Sequence, residues 1–302
     1  MKRVTSAFVV VGISLLGCSS GDSGGSTGSA EATPYVFEPK STQGSVGVMI
    51  KPPGPGQPPA LLLGGYFLDY RGVPGAIADG LSTTDAKAVN CTKREAGSCK
   101  LIECALTKDP SFKFANAKYP SAGTMTIKRS TGPELMVTPM PPGNDYITST
   151  SGVAPGADGE TVTISATGAD VPAFSETLPL TPMIVLTSPT GKTATASGGS
   201  DFRLSWTGGK GDRVAVTGSS STVDATNVVE LSCSFDADSG TGVIPSTLLS
   251  KIKAGTSMYF SAKLEGKKVN VGPFEVTLLA EQSATHEVGG TFTLTVGPRG
   301  AC

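Results

Sequence analysis

The stretch "DFRLSWTGG", residues 201–209, decides the architecture. Phe202, Leu204 and Trp206 fall on alternate positions, with Arg203 and Ser205 between them. That period of two belongs to a strand with one face in a core and the other in water. Gly208-Gly209 then closes the segment as a turn. The same pattern continues outward: Val214 and Val216 alternate in "DRVAVTG", and Val229, Leu231, Cys233 and Phe235 share one parity in "VVELSCSFDA". "PSTLLSKIKAG" reads as a one- to two-turn helical connection closed by Gly255. "TSMYFSAKL", "VNVGPFEVTLL" and "GTFTLTV" add further strands, so residues 182–302 hold about seven or eight, enough for a sandwich.

The first half is written in a similar way. Val46, Val48 and Ile50 alternate before the proline-rich loop "KPPGPGQPP". Met125/Ile127, Leu135/Val137 and Val162/Ile164 repeat the signal, separated by the turn clusters "PPGND" and "APGADGE". In the 302-residue chain charged residues are 16%, below the usual quarter, while 39 Gly and 22 Pro punctuate it. The expectation is an all-β protein of two units: a β-rich domain at 34–180 carrying three cysteines, and a β-sandwich at 182–302. "LPLTPMIVLTSPTG" is the stiff junction between them. A formal net charge of −1 without a basic block excludes nucleic acid as a partner, because binding there needs concentrated Lys and Arg.

Lys2 and Arg3 precede an apolar run from Ala7 to Leu16. This run falls short of the roughly 20 residues that span a bilayer and reads as the core of a signal peptide, residues 1–17. It ends in Leu15-Leu16-Gly17-Cys18, which resembles the bacterial lipobox. The resemblance implies cleavage before Cys18, a diacylglyceryl thioether on its sulfur and an acyl chain such as palmitate on the new amino terminus. Several chains, at about 0.8 kcal/mol per buried CH₂, hold a protein durably on a membrane. Ser19, where Asp would mark the inner membrane in enteric-type bacteria, implies the cell outer membrane. Residues 18–33 are then the lipidated Cys and a Gly/Ser linker, whose r.m.s. reach is about 20–23 Å.

"DFRLSWTGG" together with the corner ending "AGTSMY" resembles the fibronectin type III and immunoglobulin-like sandwich, with Trp206 and Tyr259 at the matching positions. The corner is one residue longer than that family's pattern. The resemblance implies immunoglobulin-like sandwiches for the folded part. The segment from Cys233 to Pro245 also resembles the "C-x-F-x-A…G…V/I-P" stretch of uncharacterised two-domain bacterial envelope lipoproteins, a family that implies no activity.

Five cysteines remain after Cys18. An exported chain meets an oxidising compartment, so disulfides are expected, and an odd count leaves one thiol over. Cys99 and Cys104 are too far apart in a strand or helix to bond. A turn at Gly97-Ser98 sets Cys91 opposite Cys104, the favoured pair. Cys233 has the inward parity of a small core residue, and Cys302 offers an alternative staple to one of the others. The C-x₇-C-x₄-C spacing lacks a close pair, so no metal site and no cofactor are expected.

No catalytic residues emerge. Gly21-Asp22-Ser23-Gly24-Gly25 has the letters of a trypsin-like nucleophile, yet only a signal peptide precedes it and the one imidazole, His286, is remote. Ser250 and Lys253 match "S-x-x-K" without companion motifs. Asp236-Ala237-Asp238-Ser239-Gly240 resembles the start of a calcium loop, but its twelfth position is Thr247, which cannot chelate as Glu does. The expected function is a lipid-anchored envelope protein with a structural or protein-interaction role and no catalysis, its partners the membrane and an envelope protein or glycan. The alternative is a glycan- or small-ligand-binding lipoprotein, which a pocket at Tyr66, Tyr70 or Tyr119 beside polar groups would favour.

Overall fold

The structure, a computed structural model, describes residues 30–54, 57–83, 85–157, 159–221, 226–283 and 290–297. Cys18, most of the linker, His286 and Cys302 lie outside the described residues. The chain is nearly all β and sandwich-like, as the alternations require.

One sandwich joins a six-stranded and a four-stranded sheet. The larger has the order Thr181–Pro182, Phe274–Gln282, Thr42–Lys51, Ala60–Asp69, Tyr146–Ser151, with Lys267–Val271 also paired to Phe274–Gln282. The smaller runs Phe174–Pro179, Thr161–Ala166, Met125–Arg129, Glu134–Val137. Their inner faces interdigitate: Val46, Val48 and Ile50 meet Ile127, Val162 and Ile164 in one apolar core. Phe67 sits at its centre, edge-on to both Tyr146 and Phe274 at 6.2 Å. Tyr146 is fully buried because its hydroxyl is satisfied, accepting from Ala122 N at 2.8 Å and donating to Gly123 O at 2.9 Å.

The second sandwich sets an eight-stranded sheet against the three strands Val185–Ser188, Phe202–Thr207 and Thr241–Ile244. The eight run Thr33–Pro34, Ala86–Ala96, Cys99–Lys108, Asn227–Asp236, Arg213–Ser221, Ser257–Leu264, Thr291–Gly297, Thr193–Ser197. Leu204 and Trp206 enter this core as expected, and the indole N–H of Trp206 donates to Ala237 O at 3.0 Å. The helical connection is a single turn, Ser246–Leu249, burying Leu248 and Leu249, with Gly255 in the left-handed region at φ 86°. Tyr259, matched above to a family position, points to solvent at 60% exposure and takes no part in the core.

The division at 34–180 and 182–302 is not how the strands group. Phe274–Gln282, late in the chain, pairs in parallel with Thr42–Lys51 over Gln43 to Ile50 and supplies Phe274, Val276 and Leu278 to the first core. In the opposite direction, the hairpin Ala86–Ala96/Cys99–Lys108 leaves the first half and pairs with Asn227–Asp236 in the eight-stranded sheet. Each core is therefore built from both sides of residue 181. Alternation reports which residues face inward; it carries no information about which sheet a strand joins.

Two disulfides fix the hairpin. Cys91–Cys104 closes it, the pairing that the turn at Gly97-Ser98 favours. Cys99 bonds Cys233, directly opposite in the ladder. This corrects the reading of Cys233 as an unpaired core residue: its inward parity holds, but its neighbour across the strand boundary is another cysteine. Cys99 and Leu101 face the large core, whereas Ile102 and Cys104, of opposite parity, form a small core with Leu81 and Val228 on the other side of the sheet.

Two predictions follow from this interlocking. Residues 30–180 expressed alone lack the strand Phe274–Gln282 and will show no cooperative thermal transition; a native-like melt of that fragment would contradict the grouping. Loop-closure entropy assigns about 5 kcal/mol to Cys99–Cys233, separated by 134 residues, and about 3 kcal/mol to Cys91–Cys104, separated by 13. The double variant Cys99→Ala/Cys233→Ala should therefore lower the urea midpoint more than Cys91→Ala/Cys104→Ala.

Candidate functional site

The outer face of the six-stranded sheet carries an open trough of about 560 Å³. It arises from the ladder register. One row across the strands reads Leu279, Gly47, Gly64, Ile147. The row on one side reads Glu281, Met49, Leu62, Ser149; the row on the other reads Thr277, Ser45, Tyr66. Two glycines at the middle of the central row leave bare backbone as a floor, while Met49 and Leu62 rise on one side and Ser45 borders the other. Ile147, 60% exposed, marks the end at the free edge, and Leu279, packed against the second sandwich, marks the end at the seam.

The fold does not demand these glycines. Both lie in extended backbone; a β-carbon on Gly64 meets nothing within 4 Å, and one on Gly47 meets only Gly64 O at 4.0 Å. Gly44 on the inner face is different, since a β-carbon there would fall 2.5 Å from the Phe67 ring. Glycine in a strand interior weakens the strand and marks places where something approaches the backbone closely.

Glu281 is buried, at 8% exposure, on the outer face at the seam end. Burial raises its pKa, Asp212 pushes the same way, and Lys263 opposes them. Among the described residues it has no hydrogen-bond or ion-pair partner. No fully buried side-chain oxygen or nitrogen there lacks a partner, so its carboxyl oxygens keep solvent access, and the trough is the cavity it lines.

Beyond Tyr66, the same outward parity leads along the strand to Leu68 and Tyr70. Paired backbone hydrogen bonds between Asp69 and Lys118 bring Tyr119 alongside. Burial raises the Tyr70 pKa, and the neighbouring Tyr119 and Tyr66 hydroxyls raise it further. The three tyrosines singled out in the sequence thus gather, with Tyr66 and Tyr119 43% and 48% exposed. The Arg71 guanidinium grips Asp69 at 2.8 and 3.0 Å, holds its carboxyl below the usual range, and lies over the Phe274 ring of the inner core.

The other candidate residues are engaged in turns. Asp236 accepts from Asp238 N at 2.9 Å and Asp238 accepts from Gly211 N at 3.0 Å, closing a 3-10 turn with Gly240 at φ 61°. Ser250 donates to Thr247 O at 3.2 Å. Among the described residues no three His, Cys, Asp or Glu side chains gather to hold a metal ion.

A buried ion pair that the sequence did not signal stabilises the far end of the same sandwich. Arg129 Nε and Nη2 donate to the two Glu160 oxygens at 2.6 and 2.8 Å, and Nη1 donates to Ala154 O at 2.7 Å. Arg129 lines a cavity of about 280 Å³ with Thr131, Leu135 and Val153. The two partners sit 31 residues apart in otherwise ordinary strand and loop segments, so neither periodicity nor a motif points to them.

Comparison with protein-family models, curated proteins and solved structures finds no match.

The Arg129 hydrogen bonds hold Glu160 at about 2, against 4.5 for a free side chain. A lowered carboxyl pKa stabilises the fold above the unfolded value and loses that contribution as pH falls through the folded one. Stability should therefore decline from about pH 4.5 toward pH 2, by roughly 3 kcal/mol from this group. Glu160→Gln should flatten that part of the curve of urea-unfolding free energy against pH, and an unchanged slope would rule the assignment out.

Proposed function

We propose that this protein is a lipid-anchored component of the bacterial cell envelope, at the outer membrane, with a structural or protein-interaction role and no catalysis. One observation carries the reading: Leu15-Leu16-Gly17-Cys18 follows Lys2-Arg3 and an apolar run at the depth of a lipoprotein signal. Cys18 is the acylated residue, and the Gly/Ser segment after it is the tether. Support comes from where that segment meets the fold. Thr33–Pro34 pairs with Lys93 and Thr92 at the outer edge of the eight-stranded sheet, and Arg94 Nη1 donates to Ala30 O at 3.3 Å. The tether thus enters one sandwich, while the trough lies on the other. Immunoglobulin-like sandwiches are common platforms of this kind.

A specific observation favours the second reading, a glycan- or small-ligand-binding lipoprotein. Tyr66, Tyr70 and Tyr119 converge, and Tyr66 shares the outward parity of the trough's Gly64. In this view the envelope partner is a ligand seated on that face rather than a protein docked on an edge.

The anchor is tested by fractionation. Cys18→Ala should move the protein from the membrane pellet to the soluble fraction and abolish its labelling by radioactive palmitate. Membrane attachment and labelling that survive the substitution would remove the proposal.

A further inference from the structure

We propose that the trough on the outer face of the six-stranded sheet binds a small arylalkyl ammonium ligand, its ring on Gly47 and Gly64 and its cation at Glu281. The inference deepens the ligand-binding reading above and does not depend on the lipid anchor.

Three observations converge on that chemistry. First, the floor holds space that no described residue fills. The inner faces of these sheets show what glycine in a strand makes room for. β-carbons on Gly44, Gly218 and Gly242 would fall 2.5, 2.5 and 2.7 Å from the rings of Phe67, Phe260 and Phe235. In each case the missing side chain admits an aromatic ring. Gly47 and Gly64 form the same vacancy on the outer face, and among the described residues no ring occupies it.

Second, the wall suits a ring. Met49, Leu62 and Ile147 line the trough around the floor, apolar side chains against which an aromatic ring packs. Thioethers such as that of Met49 pack well against rings.

Third, the seam end carries charge without a partner. Glu281 is 8% exposed, lines the trough, and has neither hydrogen bond nor ion pair among the described residues. A buried carboxylate without a partner is costly, and an ammonium donating to it would relieve that cost. A carboxylate ligand would meet repulsion at the same point. The distance agrees as well. Glu281 and Gly64 lie two strands apart and one row apart, about 12 Å between Cα atoms from the strand spacing and rise. A glutamate side chain plus a short alkyl linker covers that span.

The test uses the acyl-free mature chain, residues 19–302, and three matched probes: 4-phenylbutylamine hydrochloride, 4-phenyl-1-butanol and sodium 4-phenylbutyrate. Binding is measured by calorimetry at neutral pH. The amine should bind at least about tenfold more tightly than the alcohol, the usual worth of a charge-assisted hydrogen bond, and the carboxylate should bind least. Glu281→Gln should erase the preference for the amine while leaving the alcohol unchanged. Gly64→Val should abolish binding of all three, and because its β-carbon meets no neighbour the melting temperature should stay level or rise, which separates a filled trough from a misfolded protein. Equal binding of amine and carboxylate, no binding of the amine by the unaltered chain, or full binding by folded Gly64→Val would each overturn the proposal. None of these results bears on the Cys18 anchor, which stands or falls by fractionation.

Discussion

The parallel ladder between Thr42–Lys51 and Phe274–Gln282 is the contact on which the molecule depends. It joins residues more than two hundred positions apart, with Gln43 opposite Glu275 and Ile50 opposite Gln282. Removing it would strip the first core of Phe274, Val276, Leu278 and Ala280, all buried. Closing so long a loop costs entropy, and both faces of the strand contribute contacts against that cost. Its inner face completes the first core. Its outer face supplies Leu279 to the second core and Glu281 to the trough. One strand thus serves both sandwiches and the candidate site.

The hairpin carrying Cys91, Cys99 and Cys104 makes the reciprocal exchange, and there the chain adds covalent bonds. Asn227–Asp236 pairs with Cys99–Lys108 over seven residues from Asn227 to Cys233, and Cys99–Cys233 terminates that pairing. The hairpin rests on that ladder, on Cys99 and Leu101 in the large core and on a small core around Ile102 and Val228. The two disulfides add restriction of the unfolded chain to those contacts. The donated strand and the stapled hairpin are two solutions to a single problem, that of holding a sequence-distant strand in a sheet.

The sequence made the inward-facing residues legible and left the partners illegible. Val46, Val48, Ile50, Leu204, Trp206 and Leu231 all lie where their alternation puts them, because the pleat forces a period of two whatever the sheet. "VNVGPFEVTLL" was equally readable as strand, yet nothing local distinguishes a strand that stays from one that crosses. The same holds for cysteine. Cys91 and Cys104 are legible because one turn brings them together, whereas Cys99 and Cys233 meet only through a ladder between distant segments. Of the site, the tyrosines were legible as side chains capable of binding. Gly47, Gly64 and Glu281 were not, since their meaning lies in register across four strands rather than along any one of them.

That register also explains why this face of the sandwich is concave at all. A pleated sheet is ordinarily a flat surface of alternating side chains, and a hollow in it needs a row of small residues perpendicular to the strands. Gly47 opposite Gly64 supplies two such positions, at a cost of up to about 1 kcal/mol each in strand propensity. Inside the sandwiches the equivalent cost at Gly44, Gly218 and Gly242 is offset by the phenylalanine rings they admit. Outside, no group among the described residues offsets it. At the end of the same hollow, a buried carboxyl group with no partner among the described residues adds a second cost. Two independent sacrifices of stability in one small area are what a binding site imposes on a fold, because the compensating contacts arrive only with the ligand.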